Sequence, residues 1–159
     1  MTQVTLYTDG AASGNPGNGG YGVVLISGKH RKELSDGYKY TTNNRMELLA
    51  VIVGLEELKK QCEVTVYSDS KYVVDAVEKK WVFGWEKIGY KKKKNPDLWK
   101  RFLNIYRQHQ VKFVWIRGHN NNIENEVCDK LAVAASQKTN LKEDIEYIKL
   151  LSEGEDELF

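Results

Sequence analysis

Two short stretches of the chain are nearly identical, and each brings an aspartate to its end. "VTLYTDG" at residues 4–10 contains Asp9, and "VTVYSDS" at residues 64–70 contains Asp69. Both alternate β-branched and aromatic residues before turn-forming ones, a pattern that predicts a β-strand. If the two strands are parallel neighbours, both carboxylates reach the same edge of a sheet, where α/β proteins build their sites. The alternative is that each aspartate only opens a turn.

Two further carboxylates lie near the ends of predicted elements. Glu47 falls in the first turn of a predicted helix, and Asp129 falls in a later one. Carboxylates that converge raise one another's pKa, so such a cluster normally binds a hard divalent cation. Mg²⁺ is the natural candidate because few nitrogen or sulfur ligands lie nearby. A pair of such ions can activate water and stabilise the leaving oxygen of a phosphodiester.

One of the three histidines has a sequence context that suits proton transfer. His119 follows the last predicted strand behind a glycine, in a loop rich in asparagine. An imidazole there could protonate a leaving group or shuttle a proton. For His30 and His109, whose surroundings are polar, we expect solvated side chains.

Charge is distributed unevenly along the chain. Residues 79–107 contain ten Lys and Arg against two acidic residues, whereas residues 141–159 contain seven acidic residues against two lysines. In the basic segment, Trp81, Trp85 and other aromatic residues alternate with lysines, and such rings can stack on bases while the cations meet phosphates. A solvated loop is the alternative for the lysines, and a core position is the alternative for either tryptophan. The pattern favours a polyanionic partner.

Composition indicates an ordinary folded domain. The chain has 159 residues, of which 41% are hydrophobic and 29% are charged, enough to form one hydrophobic core. We expect an intracellular, cytoplasmic protein, because there is no membrane-length apolar run and no basic and apolar leader. Cys62 and Cys128 lack metal-ligand or redox spacing and are expected to be free buried thiols. A monomer is the expected state.

The pattern of elements predicts a mixed sheet with helices on its faces. Trp99 and Phe102 are assigned to the core. The predicted elements are, in order, the first strand, a glycine-rich turn at 10–22 that runs into a strand at 21–26, a strand at 31–40, a helix capped by Thr42 or Asn43, the second strand, a short helix, a basic loop at 85–96, a helix capped by Asn95 and reaching about His109, a last strand at 111–118, and a helix from Glu124 to about Lys138.

Taken together, these motifs resemble ribonuclease H of type 1. They are "TDG" at 8–10, "TTNNRMEL" at 41–48, "YSDS" at 67–70, "NPDLW" at 95–99 and "RGHNNNIENEVCDKLA" at 117–132, in the family's order and approximate spacing. The resemblance reaches about residue 138. It implies an α/β fold with a mixed five-stranded sheet, made of a three-stranded antiparallel meander and two parallel strands, flanked by helices. Residues 1–140 would be the catalytic domain, and residues 141–159 an acidic extension that is partly helical and then mobile.

The resemblance also implies an activity. The family hydrolyses the RNA strand of RNA–DNA hybrids, leaving 5′-phosphate and 3′-hydroxyl ends, with Mg²⁺ or alternatively Mn²⁺. The metal-binding carboxylates would be Asp9, Glu47, Asp69 and Asp129. His119 would be the mobile histidine that assists turnover or product release.

Several polar residues match the family's contacts with the hybrid. Asn15, Asn43 and Asn44 fall where the minor groove and the RNA strand are sensed, since amides suit base edges and 2′-hydroxyls. Thr42 and Asn95 match the pocket that binds a DNA phosphate.

Aromatic and basic residues extend the predicted nucleic-acid surface. Its further members are Tyr72 and Trp81 along the DNA strand, Trp85, and the lysines Lys91, Lys92, Lys93 and Lys94. The chain departs from the family pattern in one extra residue between Asp69 and Trp81, in a shorter basic loop, and in Glu86, where a cation is usual.

Other readings remain open for the tail and for the activity. The end "GEDELF" resembles short peptides that dock on replication proteins, and a disordered solubilising tail is the alternative. A metal nuclease that acts on DNA junctions or in strand transfer would keep the same carboxylates. A binding module without catalysis is disfavoured because all four carboxylates are present.

Overall fold

The computed structural model describes residues 1–118 and 122–156, with side chains up to Gly154. Within this part of the chain, strands form one sheet in the order β5-β4-β1-β2-β3-β6. The strands are β1 (Thr2–Gly14), β2 (Gly17–Ser27), β3 (His30–Thr41), β4 (Cys62–Ser68), β5 (Gln110–Trp115) and β6 (Lys142–Glu143). The helices are α1 (Asn43–Glu56), α2 (Lys71–Glu78), α3 (Trp81–Lys87), α4 (Pro96–Tyr106), α5 (Ile123–Ser136) and α6 (Ile145–Asp156).

The two near-identical stretches are adjacent parallel strands. In the pairing of β1 with β4, Val4 faces Val64 and Thr8 faces Ser68. On one face of this pair, Tyr7 and Tyr67 stack with their ring centroids 5.0 Å apart. Because the two sequences are in register, Asp9 and Asp69 reach the same edge of the sheet.

The predicted mixed sheet is confirmed, but the predicted strand count of five is too low. Strands β1, β2 and β3 form the antiparallel meander, and β4 and β5 are parallel to β1. The sixth strand, β6, has only two residues and pairs with β3 in parallel. Two residues are too few to show the alternation of apolar and polar residues that predicts a strand from sequence.

The glycine-rich segment is mostly strand, so the prediction of a turn at 10–22 is wrong. Strand β1 continues to Gly14 and β2 begins at Gly17, which leaves only two residues between them. The glycines here allow close packing of backbones. A Cβ atom on Gly22 would lie 2.2 Å from the carbonyl oxygen of Cys128. Helix α5 therefore packs directly on β2.

Helix boundaries also differ from the sequence prediction. Helix α1 begins after Thr42, whose hydroxyl accepts a hydrogen bond from the Arg45 amide at 3.2 Å. Glu47 is the fifth residue of α1 and so lies in its second turn rather than its first. Residues 85–87 belong to α3 rather than to a loop, and α4 ends at Tyr106 rather than near His109.

The core lies between the sheet and the helices. Trp99 and Phe102 are fully buried, which confirms their predicted place in the core. Their rings meet edge to face with centroids 5.5 Å apart. Cys62 and Cys128 are buried free thiols, as predicted. No helix in the described ranges has both the length and the apolar character that crossing a membrane requires.

A buried arginine joins three parts of the fold. Arg45 of α1 is only 1% exposed. Its guanidinium donates to Asp97 of α4 at 2.7 and 2.9 Å and to Asp144, between β6 and α6, at 2.8 and 3.0 Å. Asp144 also accepts a 2.7 Å hydrogen bond from the Thr41 hydroxyl. A buried charge is costly unless it is paired and hydrogen-bonded, so these contacts hold the segment after β6 against α1.

We expect Asp144→Asn to lower the free energy of unfolding by about 2 kcal/mol, because hydrogen bonds to charged groups contribute about 1.5–3 kcal/mol. Urea denaturation followed by circular dichroism measures this change. The matched control is Glu143→Gln, the exposed neighbour, which should stay within about 0.5 kcal/mol of the parent. Equal midpoints for the two variants would contradict a stabilising role for the Arg45–Asp144 pair.

Candidate active site

Three carboxylates from three elements meet at the edge of the sheet. Asp9 lies in β1, Asp69 directly follows β4, and Glu47 comes from α1. Gly10 allows the helix to approach, because a Cβ atom there would lie 2.4 Å from the Glu47 amide nitrogen. One side-chain oxygen from each of the three residues lies within 4.8 Å of the other two. The structure thus brings together Asp9, Glu47 and Asp69.

Burial and mutual repulsion shift the pKa values at this site. Asp9 is 5% exposed, and its burial, followed by the charge of Asp69, raises its pKa to about 8. The Gly10 amide donates to Asp9 Oδ1 at 2.9 Å and opposes this rise. Burial also raises the pKa of Glu47 well above its usual value, with the charges of Asp9 and Asp69 adding to it. The cluster therefore favours either bound protons or a cation.

The donor set fits a divalent cation. All three residues offer carboxylate oxygens, the ligands that hard cations prefer. Glu47 Oε2 is buried and has no hydrogen-bond partner among the described residues. A buried acceptor of this kind is costly unless a cation or a proton satisfies it. The cluster of Asp9, Glu47 and Asp69 is thus a candidate divalent-metal site.

Asp129, a further predicted metal ligand, lies outside this group of three. It is half-buried on α5, but its charge contributes to the raised pKa of Asp9. His119 lies outside the described residues.

Beside the start of α1 lies a groove of about 630 Å³. Seven of the residues predicted to contact nucleic acid line it: Asn15, Thr42, Asn44, Lys92, Lys93, Lys94 and Asn95. Asn43, Tyr72, Trp81, Trp85 and Lys91 do not line it. The groove joins the basic segment to the N-terminal end of α1.

Asn95 does not cap α4 with its side chain, contrary to the prediction. Its backbone is left-handed, with φ of 61°, and its side chain makes no capping hydrogen bond to α4. Instead, Asn95 Nδ2 donates to the Tyr72 hydroxyl at 3.0 Å, and Asn95 Oδ1 accepts from Arg45 at 3.2 Å. The Tyr72 hydroxyl also accepts from Trp99 Nε1 at 2.9 Å. The Asn95 amide is therefore fixed in orientation at the groove.

The remaining predicted contact residues differ in exposure. Trp81 is 49% exposed, with the Lys79 ammonium 5.2 Å from its ring centroid. Trp85 is half-buried against Trp99, and the Lys93 ammonium lies 5.3 Å from its ring. Only Trp81 of the two thus presents much of its ring to solvent. The backbone N–H of Asn43 donates a hydrogen bond to Asn15 Oδ1 at 3.2 Å, which links the start of α1 to the turn between β1 and β2.

Sequence reasoning missed the contribution of α6 to the groove. The α6 residues Tyr147, Leu150, Leu151 and Glu153 also line it. The ring of Tyr147 also stacks on the Arg45 guanidinium, 5.2 Å from its centroid. The available signal was Arg45 itself, since an arginine within an otherwise apolar helix face needs acidic partners from elsewhere in the chain.

The chain resembles known proteins over nearly its whole length. A family model described as RNase H matches residues 1–137. Ribonuclease H of Trichodesmium erythraeum (strain IMS101) is 58% identical over 151 residues, which cover 92% of this chain and 96% of the relative. LC9-RNase H1, a type 1 RNase H with the type 2 active-site motif, aligns with a TM-score of 0.78 at 30% identity, over 86% of this chain and 72% of that chain. LC11-RNase H1, solved in complex with an RNA/DNA hybrid, aligns with a TM-score of 0.64 at 30% identity, over 83% and 95%.

We expect the free energy of unfolding of the metal-free protein to fall as the pH rises from about 4 to about 8. Folding raises the pKa of Asp9 from 3.8 to about 8, so in this range the folded state retains a proton that the unfolded chain releases, and stability decreases with pH. Urea denaturation in EDTA at several pH values measures this. Saturating divalent metal should reduce the decrease, because metal favours the ionised carboxylates.

Asp9→Asn removes the titrating group and should be more stable than the parent at pH 8 without metal, by at least about 1 kcal/mol, since one pKa unit corresponds to about 1.4 kcal/mol. Asp75→Asn, at a half-buried carboxylate of α2 outside the cluster, is the control and should follow the parent. If plots of the free energy of unfolding against pH run parallel for Asp9→Asn and the parent, the titration of Asp9 does not cause the loss of stability.

Proposed function

The chain belongs to the ribonuclease H family, and from this premise we propose that it is an endonuclease that hydrolyses the RNA strand of RNA–DNA hybrids, leaving 5′-phosphate and 3′-hydroxyl ends. The observation that carries this conclusion is the cluster of Asp9, Glu47 and Asp69, with one oxygen of each within 4.8 Å of the others. All three fall inside the matched residues 1–137. The resemblance to a protein solved with an RNA/DNA hybrid supports the substrate.

The cofactor in this proposal is Mg²⁺, with Mn²⁺ as a substitute. Asp9, Glu47 and Asp69 would hold it together with Asp129, whose charge already acts on Asp9. When bound, such an ion acts as a Lewis acid that activates water and stabilises the leaving 3′-oxygen. The chain's own contribution is to hold several carboxylates rigidly on strand ends and a helix. His119 would transfer a proton at the leaving oxygen or assist product release.

Discrimination between strands would come from the side chains near the groove. The amides of Asn15, Asn43 and Asn44 can bond 2′-hydroxyls and base edges in the minor groove of the RNA strand. Thr42 and Asn95 would bind a phosphate of the DNA strand, since a fixed amide and a hydroxyl suit phosphate oxygens. This assignment is supported by the position of four of these residues around a single groove.

The DNA strand would continue past Tyr72 and Trp81 to the lysines at 91–94. The exposed ring of Trp81 suits stacking on a sugar or base. Lys91 to Lys94 would bind phosphates. The Lys93 ammonium would be held in place by its cation–π contact with the Trp85 ring. Glu86 forms an ion pair with Arg107, with N–O distances of 2.6 and 2.8 Å. The two charges cancel, so the pair adds no net charge to this surface.

Several finer assignments belong to the same proposal. Residues 1–140 would form the catalytic domain, and residues 141–159 an acidic extension whose end docks on replication proteins. The protein would act as a cytoplasmic monomer. The docking assignment is tested by deleting residues 154–159: unchanged binding to replication proteins would remove it.

Cleavage of four matched duplexes with Mg²⁺ tests the activity: RNA–DNA, RNA–RNA, DNA–DNA, and DNA with one ribonucleotide. We expect cleavage of the RNA strand of the hybrid alone. Asp69→Asn should lower kcat by at least about 100-fold, because it weakens the metal ligand set. Asp75→Asn, a half-buried carboxylate paired with Lys79, is the control.

Two results would overturn this function. Cleavage of all-DNA substrates would indicate a nuclease for junctions or strand transfer. A hybrid that is bound by the parent protein but never cut would indicate a binding module.

Replacing Lys92, Lys93 and Lys94 with Gln should weaken hybrid binding and lower the slope of log K against log salt by about one for each lost phosphate contact. The value of kcat should stay unchanged, because these lysines lie in the groove and outside the carboxylate cluster. The control replaces Lys59 and Lys60, exposed lysines beyond the other end of α1. Equal salt slopes for the two variants would exclude the groove from phosphate binding.

A further inference from the structure

The backbone that carries Asp69 is held by the neighbouring strand β5. Ser68 is the last residue of β4 and pairs with Trp115, the last residue of β5. The Ile116 amide donates to the Ser68 carbonyl at 2.9 Å and so extends the ladder one bond beyond β5. The Trp115 indole Nε1 donates to the Asp69 carbonyl at 3.1 Å. Beyond the last backbone hydrogen bond between these strands, the Trp115 side chain is thus the donor to the next carbonyl of the chain, that of Asp69.

The indole ring is itself held in place. Trp115 is 41% exposed, and the Lys71 ammonium lies 4.7 Å from its ring centroid, within the range of a cation–π contact. Lys71 is the first residue of α2, just beyond the turn that carries Asp69. The ring therefore contacts both the carbonyl at the start of this turn and the side chain at its end.

The turn after Asp69 is fixed from within. The Ser70 amide donates to Ser68 Oγ at 3.1 Å, and Ser70 Oγ accepts from the Val73 amide as the cap of α2. The Asp69 carbonyl, by contrast, accepts from a side chain of another element, the Trp115 indole.

The segment after β5 also meets the Asp69 carboxylate. A Cβ atom on Gly118 would lie 2.8 Å from Asp69 Oδ2. The chain from Trp115 to Gly118 therefore lies against both the carbonyl and the side chain of Asp69, and Trp115 joins it to that residue by a hydrogen bond.

We propose that Trp115 is a positioning residue: its indole N–H holds the Asp69 backbone so that the Asp69 carboxylate faces Asp9 and Glu47. This inference rests on the proposed function for its effect on catalysis, but its effect on metal binding is independent of substrate. Phenylalanine would keep the ring over Lys71 and lose the donor. Metal affinity should then fall while the fold and hybrid binding are retained.

The test compares Trp115→Phe with Val114→Thr, a near-isosteric change at the adjacent exposed position of β5. Metal affinity is measured without substrate, from the rise in unfolding temperature as Mg²⁺ or Mn²⁺ is added. We expect Trp115→Phe to raise the half-saturating metal concentration about 3- to 10-fold, since one neutral hydrogen bond contributes about 1 kcal/mol. At subsaturating metal, kcat should fall by a similar factor with KM for the hybrid unchanged. Val114→Thr should match the parent.

Three outcomes would overturn the inference. The first is a metal titration of Trp115→Phe that superimposes on that of the parent. The second is a rise in KM at unchanged metal affinity, which would assign Trp115 to nucleic-acid contact. The third is a fall in unfolding temperature in EDTA that accounts for the whole effect, which would make the role structural. If Trp115→Phe weakens metal binding and neither protein cuts the hybrid, the positioning role stands and the proposed function fails.

Discussion

The mutual repulsion of three carboxylates is the constraint on which the rest of this structure depends. Asp9, Glu47 and Asp69 each offer an oxygen within 4.8 Å of the others, an arrangement that flexible segments would relax by moving apart. Here the carboxylates are attached to elements that cannot move independently. The in-register pairing of β1 with β4 fixes two of them, and the contact of α1 with Gly10 fixes the third. The free energy of the packed core therefore holds together a site that is electrostatically unfavourable unless a cation or bound protons offset the charge.

A buried positive charge, Arg45, lies close to this cluster in the chain and is compensated by carboxylates. Arg45 lies two residues before Glu47 in α1 and is compensated by Asp97 and Asp144. These pairs tie α1 to α4 and to the segment that leads into α6. The same network fixes Asn95, and Tyr147 stacks on the guanidinium, so the groove beside α1 takes its shape from this cation. One helix thus positions both a carboxylate of the site and the walls of the neighbouring groove.

Sequence patterns predicted the elements whose apolar residues recur with a clear period. They missed features that depend on packing between segments distant in the chain. The repeated strands, α1 and the core positions of Trp99 and Phe102 follow from apolar spacing. The glycines between residues 10 and 22 were misassigned to a turn, because glycine serves both turns and close packing of backbones, and only the position of α5 decides between them. Asn95 precedes a proline as a helix cap would, yet its amide bonds Tyr72 and Arg45 instead. Such choices depend on residues distant in the chain.

The sequence by itself determined which residues could do the chemistry: carboxylates at the ends of two matching strands and on one helix, with a basic and aromatic segment for a polyanion. Residue types and local spacing are sufficient for that, because strand and helix periods fix where each side chain leaves its own element. Only the tertiary structure decided which carboxylates come within reach of one another, that Asp129 stays outside the group of three, and that residues of α6 line the same groove as the lysines. These outcomes depend on distances between elements, and such distances are set by packing, which no local pattern records.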